Sequence, residues 1–276
     1  MSAAALIATT AGCARRPAQY ELLTPAETHP SAAPAGSSNP VAASAPPQKT
    51  EGEASVREDA RRTVTQRLPV EGFGDAVVVV PVTDEKFPLL VAAHGAGDTP
   101  QWQCQHWGAV ARGRFLVLCP RGLPLVRGDD SAFYYPDHHA LEREVMAAVR
   151  AARNTFGAQL SSEPGVYTGY SQGATMGALM VIDHGAEFQH LLLVEGGSGD
   201  WTLGRARRYR ATGGKSVAIV CGTSGCASRG QRSRDVLERA GLRARVEHAE
   251  GGGHTYTGSV GERARDLLDA WLLNPD

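Results

Sequence analysis

Along the chain, continuously apolar stretches alternate with stretches whose apolar residues recur every three to four positions. Asp75–Val82 (DAVVVVPV), Phe87–Gly97 (FPLLVAAHGAG), Arg114–Gly122 (RFLVLCPRG), Gly165–Ser171 (GVYTGYS), His190–Gly197 (HLLLVEGG), Ser216–Thr223 (SVAIVCGT) and Arg243–Gly252 (RARVEHAEGG) read as strands. Ala140–Gly157 carries Leu141, Val145, Ala148, Val149, Ala152 and Phe156 at helical spacing and stops at Gly157. Helices are also predicted over Gln172–Gly185, Arg229–Gly241 and Gly261–Leu273, and a short one over Glu53–Val64. Strands that are apolar at every position, alternating with helices, imply a mostly parallel sheet covered by helices on both faces. The prediction is one α/β domain over residues 56–276.

Ahead of that domain the text changes. Residues 14–55 are crowded with Ala, Pro, Ser and Thr and cannot bury enough apolar area to offset their ordering entropy, so they predict a flexible linker. Residues 1–13, MSAAALIATTAGC, are apolar and small, and resemble the end of a bacterial lipoprotein signal with Cys13 as the acylated residue. The match lacks a basic start, and Thr10 stands where leucine is usual. Signal, cysteine and linker in that order imply an exported protein tethered to the cell envelope, its membrane contact made only through a lipid anchor at Cys13.

Charge narrows the function classes. With 28 Lys+Arg against 29 Asp+Glu there is no basic field for nucleic acid, and the arginines of Arg205–Arg210 (RARRYR) read as a solvated face. Cys104, Cys119, Cys221 and Cys226 permit three disulfide connectivities, of which Cys104 with Cys119 and Cys221 with Cys226 are the local pairings. Their spacing suits no zinc site. Asp137, His138 and His139, near Asp129 and Asp130, raise the question of a metal, but adjacent histidines rarely face one ion, and no metal is expected.

The chemistry concentrates at Gly169–Gly173, GYSQG. Ser171 sits between a predicted strand and a predicted helix, with glycine two positions away on each side. A tight strand-to-helix turn lifts the serine above the sheet edge and crowds its neighbours, and the helix aims its first amides there. Such a turn is the nucleophile elbow of α/β hydrolases. The base must follow in sequence: His254, after a glycine run that lets the chain turn over the sheet edge, suits better than His248, which lies inside a strand pattern. Oxyanion donors are expected from the amides of Gln172 and of Ala96, the latter in the loop His94–Pro100 (HGAGDTP), with His94 packing that loop. Phe133, Tyr134 and Tyr135 are candidates for a substrate-binding wall, or equally for a hydrophobic tuck beneath their loop.

The segments HGAGDT and GYSQGATMG, with the late histidine, resemble the phospholipase/carboxylesterase family, which includes the acyl-protein thioesterases. The similarity is loose from about Phe87 onward and sharp only at those two loops and the histidine. It implies an α/β-hydrolase fold and a serine-dependent hydrolase of esters or thioesters that needs no cofactor. Secreted feruloyl-esterase-like relatives share the pattern, so it implies no particular substrate. One part of the pattern is missing. Where the family places its triad aspartate, this chain reads CGTSGCASRG, with Gly225 at the expected position. Some α/β hydrolases, certain haloalkane dehalogenases among them, take the acid from the end of the preceding strand, and here that residue is Glu195. Asp200 and Asp235 are the other carboxylates in range. A serine peptidase, or an inactive surface-anchored binding protein that keeps the fold, are the alternative functions.

Overall fold

The computed structural model describes residues 62–269. Cys13, the linker and most of the helix predicted over Glu53–Val64 lie outside them. The described end of that segment is a strand, not a helix. β1 (Thr63–Leu68) pairs antiparallel with β2 (Ala76–Pro81), and exposure of all but its last residue hides it from a reading based on apolar runs.

Eight strands form one sheet in the order β1-β2-β4-β3-β7-β8-β9-β10. β4 is Leu116–Cys119, β3 Leu89–Ala93, β7 Gly165–Tyr170, β8 Phe188–Val194, β9 Ser216–Cys221 and β10 Arg243–His248. β2 runs antiparallel to both neighbours; from β4 to β10 every pairing is parallel. The apolar strand text follows from burial on both faces. In β2, Val78 and Val80 join one core and Val77 and Val79 the other; in β3, Val91 and Ala93 face opposite to Leu90 and Ala92.

Among the described residues, six α-helices cover the sheet. α1 (Pro100–Ala111) and α6 (Gly258–Leu267) pack on one face through Cys104, Trp107, Val110, Val260 and Leu267. On the other lie α2 (His138–Phe156), α3 (Gln172–Met180), α4 (Leu203–Ala211) and α5 (Ser224–Arg239), contributing Leu141, Val145, Ala174, Tyr209 and Leu237 among others. None of the described helices is long and apolar enough to cross a membrane. The arginine-rich Arg205–Arg210 is more than a solvated face. It belongs to α4, which buries Ala206 and Tyr209 three positions apart, with the Tyr209 hydroxyl donating to the Phe188 carbonyl at 2.7 Å.

A two-stranded hairpin, β5 (Leu123–Val126) and β6 (Asp129–Tyr134), occupies the segment before α2. Two disulfides join Cys104 to Cys119 and Cys221 to Cys226, the pairings expected from proximity in sequence. The parallel strands β3, β7, β8, β9 and β10 all end at one rim of the sheet. Ser171, Glu195 and His254 lie in the segments that leave this rim.

Candidate active site

Ser171 directly follows β7 and caps α3, with φ 50° and ψ −109°. A side chain at positive φ is strained by roughly 1–3 kcal/mol, and only over-determined surroundings hold it there. Here the Ser171 amide donates to the Val194 carbonyl at 2.9 Å, Thr175 N donates to Ser171 O at 2.9 Å, and Gly173 N donates to His94 O at 3.1 Å. The flanking glycines answer to close packing. A Cβ on Gly169 would lie 2.6 Å from Ala174 N, and one on Gly173 would lie 2.4 Å from the Ala93 carbonyl oxygen. Any larger residue would push α3 off the sheet.

The loop after β3 passes directly beside the serine, for a Cβ on Gly95 would stand 3.3 Å from the Ser171 Cβ. It is held by Gly97 N donating to Phe133 O at 2.8 Å and by His94. That histidine is fully buried, its Nδ1 2.8 Å from Gly95 O and its Nε2 2.8 Å from Arg121 O, and its ring stacks on Tyr135 at 4.6 Å. Burial pushes its pKa down, opposed by the hydrogen bonds to the two carbonyls, and the ring packs the loop. Neither the Ala96 nor the Gln172 amide has an intramolecular acceptor among the described residues. Gln172 begins α3, so the amide end of that helix dipole points toward the serine. The Gln172 side chain has a task that residue identity does not reveal: its Oε1 accepts from Tyr135 N at 2.8 Å, tying the elbow to the chain after the hairpin.

His254 follows the glycine run after β10. Its Nε2 lies 2.9 Å from Ser171 Oγ and its Nδ1 lies 2.8 Å from Glu195 Oε2. A carboxylate only accepts, which makes Nδ1 the donor and leaves the Nε2 lone pair facing the Ser171 hydroxyl. The Glu195 side chain is 2% exposed and that of His254 53%, so the carboxylate is sealed beneath an imidazole that opens to solvent. Glu195 itself has φ 50°, making it, with Ser171 and Arg112, one of three non-glycine residues at positive φ among those described. Its Oε1 accepts from Gly222 N at 2.5 Å and Thr223 N at 2.8 Å. Two tyrosines brace the segment that carries His254. Tyr170 OH donates to His254 O at 2.9 Å, and Tyr256 OH donates to Asp98 Oδ2 at 3.0 Å, linking the His254 segment to the loop after β3. Burial and the nearby carboxylates of Glu195 and Asp98 raise the Tyr170 pKa, so it stays a donor.

The remaining sequence candidates lie elsewhere. His248 is exposed at the end of β10; Asp235 pairs with Arg234 on α5; the Asp200 main-chain carbonyl accepts from Arg205. Gly225 lies in the first turn of α5. The aromatic wall needs correcting. Phe133 and Tyr135 are 2% and 1% exposed: Phe133 packs under the Arg121 guanidinium at 4.9 Å, and the Tyr135 hydroxyl donates to Pro120 O at 3.2 Å. Both are spent on the core, and of the three only Tyr134 keeps partial exposure. Asp137 caps α2 through the Ala140 amide, while His139 and His184 both pair with Glu142. The metal-like grouping among the described residues, Glu195 with Cys221 and Cys226, has both its sulfurs in a disulfide and so no thiolate to offer.

No known family profile matches the chain, and no curated protein matches its sequence. Solved structures do match. The protein TT1662 from Thermus thermophilus superposes with a TM-score of 0.60 at 20% identity, over 77% of this chain and 99% of that one. A dienelactone hydrolase-like promiscuous phosphotriesterase from metagenomic libraries gives 0.59 at 15%, over 75% and 95%. Carboxyl esterase 2 from the mycorrhizal fungus Tuber melanosporum gives 0.55 at 13%, over 79% and 87%. The sheet order, the elbow after β7 and these likenesses together identify the architecture: the chain has the α/β-hydrolase fold.

Proposed function

We propose that this protein is a serine hydrolase that cleaves carboxylic esters or thioesters through an acyl-enzyme. The observation that carries the reading is the line of two hydrogen bonds, Glu195 to His254 at 2.8 Å and His254 to Ser171 at 2.9 Å, at the sheet rim. His254 Nε2 takes the hydroxyl proton as Ser171 Oγ attacks the carbonyl carbon. Glu195, already hydrogen-bonded to Nδ1–H, stabilises the imidazolium that forms. The Ala96 and Gln172 amides donate to the oxyanion of the tetrahedral intermediate. His254 then protonates the leaving alcohol or thiol, and a water activated by the same histidine releases the acid. A buried carboxylate partner for the histidine favours this reading over an inert binding protein, whose main support was the glycine at position 225. The esterase and hydrolase neighbours agree with it as analogies of fold. The proposal extends to location: an exported enzyme, held at the envelope by acylated Cys13 through residues 14–55.

Steady-state hydrolysis of p-nitrophenyl and thiocholine esters of two to eight carbons by the full chain tests it. Wild type turns over, and Ser171→Ala and His254→Ala each lose about 10³-fold or more in kcat. Absence of wild-type turnover across the panel, or full activity in Ser171→Ala, contradicts the proposal.

A further inference from the structure

Apart from His254, the Glu195 carboxylate takes its side-chain hydrogen bonds from two consecutive residues, Gly222 and Thr223. Besides the two amide bonds to Oε1, Thr223 Oγ1 lies 3.1 Å from Oε2. Thr223 is also the N-cap of α5, accepting from Cys226 N at 3.4 Å, so the carboxylate sits at the amide end of a 16-residue helix. The same loop carries the segment of the base. Gly253 N donates to Gly222 O at 3.2 Å, Ala249 N donates to Cys221 O at 2.8 Å, and His254 is the next residue after Gly253. A Cβ on Gly222 would stand 2.2 Å from the Gly253 carbonyl oxygen, so the two loops touch.

Cysteines close this loop at both ends. Cys221 ends β9, Cys226 lies in the first turn of α5, and the disulfide between them spans Gly222–Gly225. The Glu195 oxygen and the two sulfurs all lie within 4.8 Å of one another. In chain-entropy terms a bridge with a sequence separation of 5 restrains the unfolded chain less than the Cys104–Cys119 bridge, with its separation of 15. Its effect falls instead on local geometry. The loop is the one in which the resembling family carries its acid. Here it carries donors for an acid that comes from the neighbouring strand.

We infer that Thr223 and the Cys221–Cys226 disulfide are positioning residues for the acid–base pair. The bridge holds the Gly222 and Thr223 amides where they clamp Oε1, which leaves Oε2 aimed at His254 Nδ1, and it supports the chain on which His254 stands. The inference rests on the triad reading above and refines it.

The test uses the full chain in four variants: Cys221→Ala/Cys226→Ala, Cys104→Ala/Cys119→Ala, Thr223→Val and Thr223→Ser. The readouts are kcat and KM on p-nitrophenyl butyrate, the pH profile of kcat/KM, and near-ultraviolet circular dichroism for the fold. The Cys221/Cys226 variant loses about ten- to a hundredfold in kcat with little change in KM, short of the ~10⁴ that a fully lost acid costs. His254 is faced by Glu195, by Ser171 and by the Tyr170 ring at 5.3 Å. Of these the carboxylate is the charged group, so its drift moves the acid limb of kcat/KM to lower pH. Thr223→Val moves both readouts the same way, and Thr223→Ser, which keeps the hydroxyl, restores them. The Cys104/Cys119 variant keeps kcat and the acid limb of wild type. Wild-type kcat and an unmoved acid limb in a folded Cys221/Cys226 variant overturn the inference, as does equality of the two Thr223 variants. If the double cysteine variant fails to fold, the Thr223 pair decides. A wild type without Ser171-dependent turnover would instead sink the triad itself, a separate result.

Discussion

Glu195→Gln changes one atom's chemistry and leaves shape and volume nearly intact. The two amides at Oε1, Gly222 N at 2.5 Å and Thr223 N at 2.8 Å, admit only an acceptor on that side. The glutamine must therefore keep its carbonyl oxygen there and turn its NH₂ toward His254 Nδ1, 2.8 Å away from the position Oε2 now holds. An NH₂ can only donate, so Nδ1 becomes an acceptor and the proton moves to Nε2. The ring then presents N–H to Ser171 Oγ and has no lone pair to take the hydroxyl proton. Inverting the tautomer in this way costs a serine triad about 10⁴ in kcat, or roughly 5 kcal/mol of transition-state stabilisation. Folding should be spared, because the amide bonds to the loop persist. Burst and steady-state kinetics on p-nitrophenyl butyrate, with thermal denaturation as a control, measure both quantities. A folded Glu195→Gln enzyme within about threefold of wild-type kcat would refute the tautomer argument and remove Glu195 from the triad.

Other outcomes follow from the same geometry. Gly173→Ala drives a methyl to 2.4 Å from the Ala93 carbonyl oxygen, so it should cost roughly 1–3 kcal/mol or more in urea denaturation and abolish ester turnover by displacing the Gln172 amide. Asp98→Ala releases both Thr99 N and Tyr256 OH. It should lower kcat severalfold without large loss of stability, and Tyr256→Phe should reproduce part of the effect; wild-type kinetics in both would show that the bridge is idle. Burial holds His106 at about 4, against 6.5 in the unfolded chain. Because the folded value is the lower one, its contribution is complete above pH 6.5 and is lost as pH falls toward 4. At about 1.36 kcal/mol per unit that is about 3 kcal/mol at most. His190, also lowered to about 4 by burial and by Lys215 and Arg243, acts in the same window. Melting temperatures from pH 7 to 4 should fall in wild type, with a shallower slope in His106→Phe; parallel slopes would contradict the assignment.

The parallel sheet was legible because burial on both faces forces apolar residues at every strand position, a signal that needs no partner strand to be read. The elbow was legible because Gly169 and Gly173 answer to backbone contacts that exclude any side chain. What stayed hidden had weaker patterning. β1 is exposed at five of its six positions, and α1 buries Gln103, hydrogen-bonded to Ala93 O, alongside Trp107, so its inward face is not uniformly apolar. In the hairpin, Leu123, Leu125 and Val126 point to solvent while Phe133 points inward, which reverses the usual meaning of apolar residues there. The same reversal leaves Phe133 and Tyr135 undecided between wall and tuck in the sequence, since aromatic residues in a loop near a cleft look alike whether they line it or fill the core beneath it. Glu195 was nameable from its place at a strand end. The clamp formed by Gly222 and Thr223 was not, because main-chain donors leave no trace in residue identity.

Nucleophilicity of a single hydroxyl at the sheet rim underlies the whole account, and a fluorophosphonate reports it most directly. The full chain, incubated with excess reagent, is weighed intact by mass spectrometry and then mapped by peptide. One adduct on Ser171, absent from Ser171→Ala and slowed by orders of magnitude in His254→Ala, is the predicted result. An unmodified wild type, or an adduct on another residue with Ser171 untouched, would contradict it.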